Sequence, residues 1–353
     1  MDKLRDTFFL VLMVIAASSC SPNQEKLTEL ETNSDSCNSD AGIEYICGPA
    51  NAEDLLSIGD TGMLIASGMN GTLDGSANNG HIYIIDPDDG SWSDLVSGKG
   101  YSEDFAGDSY PECPGPLNTE DFSAHGLALR QTETLVFDLY VTSHGAREAV
   151  EIFDLDMRSA NARLSWKGCV PLDEAIMHNS VAITKDGGFI TTQFMSWAGG
   201  LESVLSGVAE GSLVMWRPGG VPTVIPGTEL EGPNGIVLSQ DERYAYVAAF
   251  ATGGVVRFDL SVDPIQSETV SLDILPDNIR WGVPGMLLTA GGNISGDGWS
   301  VVEINADTLE FNRIGGMDTG AALQGASSAL QVGDTIWVGT YSGDRVGYFQ
   351  RDR

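Results

Sequence analysis

Residues 231–250 read EGPNGIVLSQDERYAYVAAF. Pro233, Asn234 and Gly235 are turn-formers, yet they run directly into an apolar alternation, a polar turn at 239–243, and a second alternating run. Period-two alternation on both sides of a short polar break describes a β-hairpin. The same phrase recurs. The opening runs of six units are AEDLLSI, SAHGLAL, MHNSVAI, GPNGIVL, PDNIRWG and GASSALQ. The second runs are MLIASG, LYVTSHG, FITTQF, YAYVAAF, LLTAGG and IWVGTYSG. The third runs close on turns: GHIYIIDPDDG, AVEIFDLD, GSLVMWRPGG, GVVRFDLS, SVVEINAD and RVGYFQRD. A unit of about 50 residues of this kind cannot bury both of its faces alone. Six stacked around an axis can, and the predicted fold is an all-β, six-bladed β-propeller.

That fold gives the opening phrase a meaning. The first strand of each blade lines the central channel, so the heads of the six runs converge although some lie more than 200 residues apart. The heads carry Glu53 with Asp54, His125, Asn179, Asn234, Asp277 with Asn278, and Ser327 with Ser328. Any one asparagine here is also explained by turn chemistry. Four of six units with an amide or acid at one offset argue for a site. Glu53, Asn179, Asn234, Asp277 and Asn278 offer only hard oxygen donors, two of them charged, which is a calcium set.

Two of the four histidines fall in one hairpin. If the strand from 125 turns and returns through 139–144, His125 and His144 face each other across an antiparallel pair. Beside a divalent ion such a pair makes a workable general base, with one ring orienting the other. The alternative is a pair of hydrogen-bonded residues packed at a blade edge. The segment 191–211, TTQFMSWAGGLESVLSGVAEG, interrupts its blade with Met195, Trp197, Leu201 and Leu205. It reads either as an apolar wall over the site, with Trp281 beside Asn278, or as a short helix packed on the rim.

The chain of 353 residues carries 18 Lys and Arg against 50 Asp and Glu, a formal charge of −32. Such a field repels nucleic acid and attracts cations. Residues 1–19 pair Lys3 and Arg5 with the apolar run FFLVLMVIAASS, too short to span a bilayer and typical of an export signal. Followed by Cys20, it resembles a bacterial lipoprotein signal with Ala17 in place of the usual leucine. The expectation is a lipidated Cys20, an acidic tether over residues 20–42, and a propeller over 43–353 held at the cell envelope, touching membrane only through that anchor. The remaining cysteines, Cys37, Cys47, Cys113 and Cys169, allow two disulfides in three pairings. Cys37 with Cys47, and Cys113 with Cys169, are favoured, the second pair because its members precede His125 and Asn179 in loops leading into adjacent blades.

Taken in order, AEDLLSI, AHGLALR, LYVTSHGAREAVEIFDL, HNSVAI, GPNGIVLSQDERYAYVAA and PDNIRWG resemble the calcium-dependent paraoxonases and arylesterases, from about residue 44 to residue 353. These sit within a wider propeller superfamily that includes gluconolactonase and strictosidine synthase. The resemblance implies hydrolysis of lactones or aryl esters, a catalytic calcium on Glu53, Asn179, Asn234, Asp277 and Asn278, and a catalytic dyad of His125 and His144. It also implies a structural calcium on Asp54 and the Leu127 carbonyl, although Ser180 stands where that site's second acid would be. The family's disulfide between N- and C-terminal segments has no counterpart, since no cysteine follows Cys169. Ring closure is then expected from strand pairing, with IEYIC (43–47) joining the last blade. Rival readings are a gluconolactonase-like sugar lactonase and a non-catalytic surface propeller.

Overall fold

The computed structural model describes residues 37–69, 80–207, 211–318 and 322–351. The expected signal, Cys20 and most of the tether lie outside the described residues. Almost everything described is strand, folded into six antiparallel sheets. Blade 1 comprises Ala52–Ser57, Leu64–Gly68, His81–Ile85 and Trp92–Asp94. Blade 2 comprises Phe122–Glu133, Val136–Gly145, Ala149–Asp156 and Arg163–Pro171, with Tyr101–Glu103 added in parallel at its outer edge. Blades 3, 4 and 5 start with Ile176–Ile183, Pro233–Leu238 and Ile274–Trp281. Blade 6 starts with Gln324–Val332, continues through Thr335–Ser342 and Arg345–Gln350, and takes its outermost strand, Glu44–Cys47, from the other end of the described chain. The pairing expected for IEYIC is therefore the one the fold uses.

The six first strands form a closed ring, each packed against the next and the last against the first. Alternation explains why. On Leu64–Gly68, Ile65 joins the apolar cluster shared with blade 2, while Leu64 and Ala66 join the cluster shared with blade 6. On His81–Ile85, Ile82 and Ile84 face one neighbour, and Tyr83 and Ile85 the other. Each blade is thus apolar on both faces, and six such clusters, one per blade junction, make up the core.

Both expected disulfides form, with Cα separations of 6.0 Å for Cys37–Cys47 and 5.1 Å for Cys113–Cys169. The second does not link entry loops of adjacent blades. Cys169 lies in the outer strand of blade 2, opposite Glu151, and Cys113 lies in the insertion before that same blade, so the bridge is internal to one blade. Cys37–Cys47 and an isolated bridge between Asp40 and Ile43 draw residues 37–42 into the folded domain, which begins before residue 43. Among the described residues no helix is long and apolar enough to cross a membrane.

Candidate metal centre and histidine relay

In all six blades the ladder between the first and second strands breaks at the same level. The register shifts fall between Ala52 and Leu55, Ala124 and Leu127, His178 and Val181, Pro233 and Ile236, Pro276 and Ile279, and Ala326 and Ser328. Each is a bulge, and each contains the polar head residues noted above. A bulge frees one or two residues from strict alternation and re-aims their side chains. Turn-forming residues belong there because the local backbone leaves the ladder. Freed carbonyls then find hydroxyls. Thr142 donates to the Asn179 carbonyl at 2.6 Å, Thr192 to that of Asn234 at 2.7 Å, and Ser327 to that of Glu53 at 2.6 Å, each from a neighbouring blade. Close approach of the blades is required. A Cβ on Gly235 would lie 2.4 Å from the Ile279 nitrogen, and one on Gly126 2.5 Å from the Asn179 carbonyl oxygen.

The bulges bring the predicted oxygen donors together. Glu53, Asn179, Asn234, Asp277 and Asn278 are all buried. The amide of Asn278 donates to Glu53 Oε1 at 2.6 Å, Asn234 hydrogen-bonds Asp277, and the amide of Asn179 lies 3.3 Å from His125 Nε2. Each asparagine amide therefore has a neighbour to bond. The oxygens do not. Glu53 Oε2 and the Oδ1 atoms of Asn179, Asn234, Asp277 and Asn278 are buried with no hydrogen-bond partner, five of eleven such side-chain atoms among the described residues. Buried polar atoms are rarely left unpaired without a reason. Here the unpaired atoms are all acceptors, two belong to carboxylates, and a hard cation would satisfy them together. Among the described residues no group of three or more His, Cys, Asp or Glu side chains has metal-holding geometry. The present set escapes that description because three of its five members are amides. Burial, then the charge of Glu53, raises Asp277 well above the ordinary carboxylate value, with the Asn234 hydrogen bond opposing.

The neighbouring acid meets a different fate. Asp54 is fully buried, accepts the backbone N–H groups of Leu55 at 2.9 Å and Leu127 at 2.8 Å, and is bound by the Arg280 guanidinium. The same Arg280 nitrogen donates to the Leu127 carbonyl at 3.1 Å. Asp54 and the Leu127 carbonyl were expected to hold a structural calcium. They are bridged instead by an arginine from blade 5, across the channel from blades 1 and 2. With the carboxylate saturated and a fixed positive charge between the two donors, these residues do not fit a second ion. Ser180 is buried and does not supply the missing acid. Burial, helped by the charge of Glu53, outweighs the pull of Arg280 and holds Asp54 up at about 6.

His125 and His144 do meet, with Nδ1 of the first 2.8 Å from Nε2 of the second. They are not directly opposed, however. His144 pairs with Ser123, and His125 lies in the bulge, which swings its ring across. His125 Nε2 stands 3.7 Å from Glu53 Oε1, at the edge of the oxygen cluster. Beyond His144 lies Glu148, unnoticed in the sequence, with Oε1 2.8 Å from His144 Nδ1. Trp197 donates its indole N–H to that oxygen at 3.1 Å and sets its ring edge-on to His144. Within this segment, residues up to Ser196 finish a strand, Gly200–Val204 form a short helix packed on the rim with Met177, Phe194 and Met195, and Trp197, between the two, contacts the relay. Trp281 is not part of the wall. It sits at the far end of its strand, bonded to the Leu238 carbonyl and packed on Tyr246. Tyr341, by contrast, lies close enough to Asp277 for that acid's charge to add to the effect of burial in raising the phenol pKa.

No family model matches the chain, and no curated protein does. Solved structures do. A gluconolactonase from Xanthomonas campestris superposes with a TM-score of 0.55 at 17% identity, covering 88% of this chain and 89% of that one. A luciferin-regenerating enzyme gives 0.57 at 14%, over 87% and 94%. A calcium-binding protein, regucalcin, from Agrobacterium tumefaciens gives 0.53 at 12%, over 87% and 93%. At these identities the likeness establishes the six-bladed propeller fold.

Proposed function

We propose that the protein is a calcium-dependent hydrolase of lactones, with aryl esters as further substrates. The observation that carries this reading is the cluster of five buried, unpartnered oxygens beside the ring nitrogen of His125. Glu53, Asn179, Asn234, Asp277 and Asn278 would hold the ion, leaving coordination positions for water and substrate. Bound there, calcium supplies Lewis-acid polarisation of a substrate carbonyl. The chain supplies the proton handling. His125 Nε2 takes a proton from the attacking water, which replaces the 3.3 Å contact with the Asn179 amide, as the water oxygen bonds to the carbonyl carbon, and returns it to the leaving oxygen when the carbon–oxygen bond breaks. Glu53 and Asp277 are occupied as charge-compensating donors, which favours the histidine as base over either acid. The propeller neighbours that bear the names gluconolactonase and calcium-binding regucalcin add support. The Trp197 indole ring edge-on to His144 favours apolar lactones over sugar lactones.

An exported protein anchored at the cell envelope through Cys20 is part of the same proposal, supported by two formed disulfides. The test is the calcium content of the purified protein, followed by assay of phenyl acetate, aliphatic lactones and sugar lactones with and without chelator. Bound calcium with chelator-sensitive turnover of apolar lactones is expected. Calcium without turnover would leave a non-catalytic propeller, preference for sugar lactones would move the substrate class, and absence of calcium would sink the metal centre.

A further inference from the structure

Glu148 plays no part in the cation cluster, yet it is buried at 4% exposure and organises three aromatic neighbours. Its Oε1 receives His144 Nδ1 and the Trp197 indole, and His178 Nδ1 lies 3.9 Å from its Oε2. Burial opposes its ionisation, but the His144 ring and its hydrogen bond, with a smaller contribution from the nearby His178, outweigh that and hold it at about 2. A carboxylate only accepts, so the proton in the contact with His144 sits on His144 Nδ1. Burial lowers the pKa of His144 itself, with Glu148 opposing, so its ring is neutral and its Nε2 carries a lone pair. That lone pair needs a donor, and the group 2.8 Å away is His125 Nδ1. His125 therefore carries its proton on Nδ1. Its Nε2 is bare, and it faces the Asn179 amide at 3.3 Å, a donor that suits a bare nitrogen.

We propose that Glu148 is a positioning residue that sets the proton arrangement of both rings, so that His125 presents a lone pair to the channel, and that Trp197 ties this arrangement to the rim helix. The catalytic consequence rests on the hydrolase reading; the proton arrangement does not. The test uses the calcium-loaded protein with 15N-labelled histidine, in which long-range correlations report the tautomer of each ring. In the wild type both His125 and His144 are expected to be protonated at Nδ1 only. Glu148→Ala is expected to mix the tautomers of both rings and to lower kcat on an apolar lactone by about 100-fold while KM moves little. Glu148→Gln keeps an acceptor oxygen and is expected to restore most of kcat and the wild-type tautomers. Trp197→Phe is expected to leave the tautomers in place and raise KM. A wild-type His125 protonated at Nε2, or a Glu148→Ala protein with unchanged tautomers and kcat, overturns the proposal. If Glu148→Ala does not fold, the wild-type and Glu148→Gln spectra decide. If the wild type hydrolyses nothing, the function fails on that result, while the spectra still judge Glu148.

Discussion

Glu53 and Asp54 are adjacent in sequence, both carboxylic acids and buried in the same bulge, yet one keeps an unpartnered oxygen and the other is saturated by Arg280 and two backbone N–H groups. Direction accounts for the difference. Successive residues in a bulge point to different places, and these two point to two tiers of one channel. The tier around Glu53 gathers five acceptor oxygens without partners, which the proposed cation would satisfy. The tier around Asp54 carries its own cation. The lesson is that a carboxylate at a conspicuous position does not announce a metal until the donors around it are counted.

The sharpest way to break that contrast is Arg280→Met. Removing one partner of a buried ion pair strands the other, and a loss of about 3 to 5 kcal/mol in urea unfolding is expected. The double variant Asp54→Asn, Arg280→Met removes both charges and should recover most of it. A single variant as stable as the wild type would show that the lower tier does not depend on its arginine.

The upper tier should answer to calcium instead. At a free concentration about 100 times Kd, calcium should add about 2.7 kcal/mol to stability, read as the difference between calcium and chelator. Glu53→Gln with Asp277→Asn should abolish that difference. The upper tier should also leave a mark on pH. Without the ion, Asp277 is held above its ordinary value of 3.8 by burial and by Glu53. The folded chain then binds that proton more tightly than the unfolded chain, so the stability it contributes is present below about 3.8 and is lost as pH rises above it. Calcium should flatten this slope, because it favours the ionised acid. Urea titrations across that range, with and without chelator, check both statements.

The smallest effect tests the scaffold. Thr192→Val removes the hydroxyl that holds the Asn234 carbonyl at 2.7 Å. A loss of about 1 kcal/mol is expected, together with weaker calcium binding, since that bulge would no longer be held in register.

Much of this was legible before any coordinates, and unevenly so. Short apolar runs identified the strands because each blade packs on both faces, which favours apolar residues at most positions of the middle strands. The polar heads were legible because they interrupt that rule at a constant offset. The bulges themselves were not, since alternation cannot show which two residues share one opposite partner, and so the expected opposition of His125 and His144 gives way to a ladder that pairs His144 with Ser123. Arg280 left a faint signal: an arginine two residues after Asn278 in PDNIRWG, in a strand otherwise destined for the interior. Glu148 left almost none. It sits in the hairpin segment GAREA, where an acid ordinarily faces solvent, and only the fold turns it under the Trp197 loop.

The strand Glu44–Cys47 closes the ring by pairing with Arg345–Tyr348, and the Cys37–Cys47 bridge lies immediately beside it. Connectivity alone gives this arrangement a mechanical consequence. Tension applied upstream of Cys37 passes through the bridge to Cys47 and bypasses residues 38–46, so the closing strand carries no load along most of its length. Reducing the bridge would reroute the same pull through Glu44, at the end of the strand, where its hydrogen bonds to the last blade must bear it.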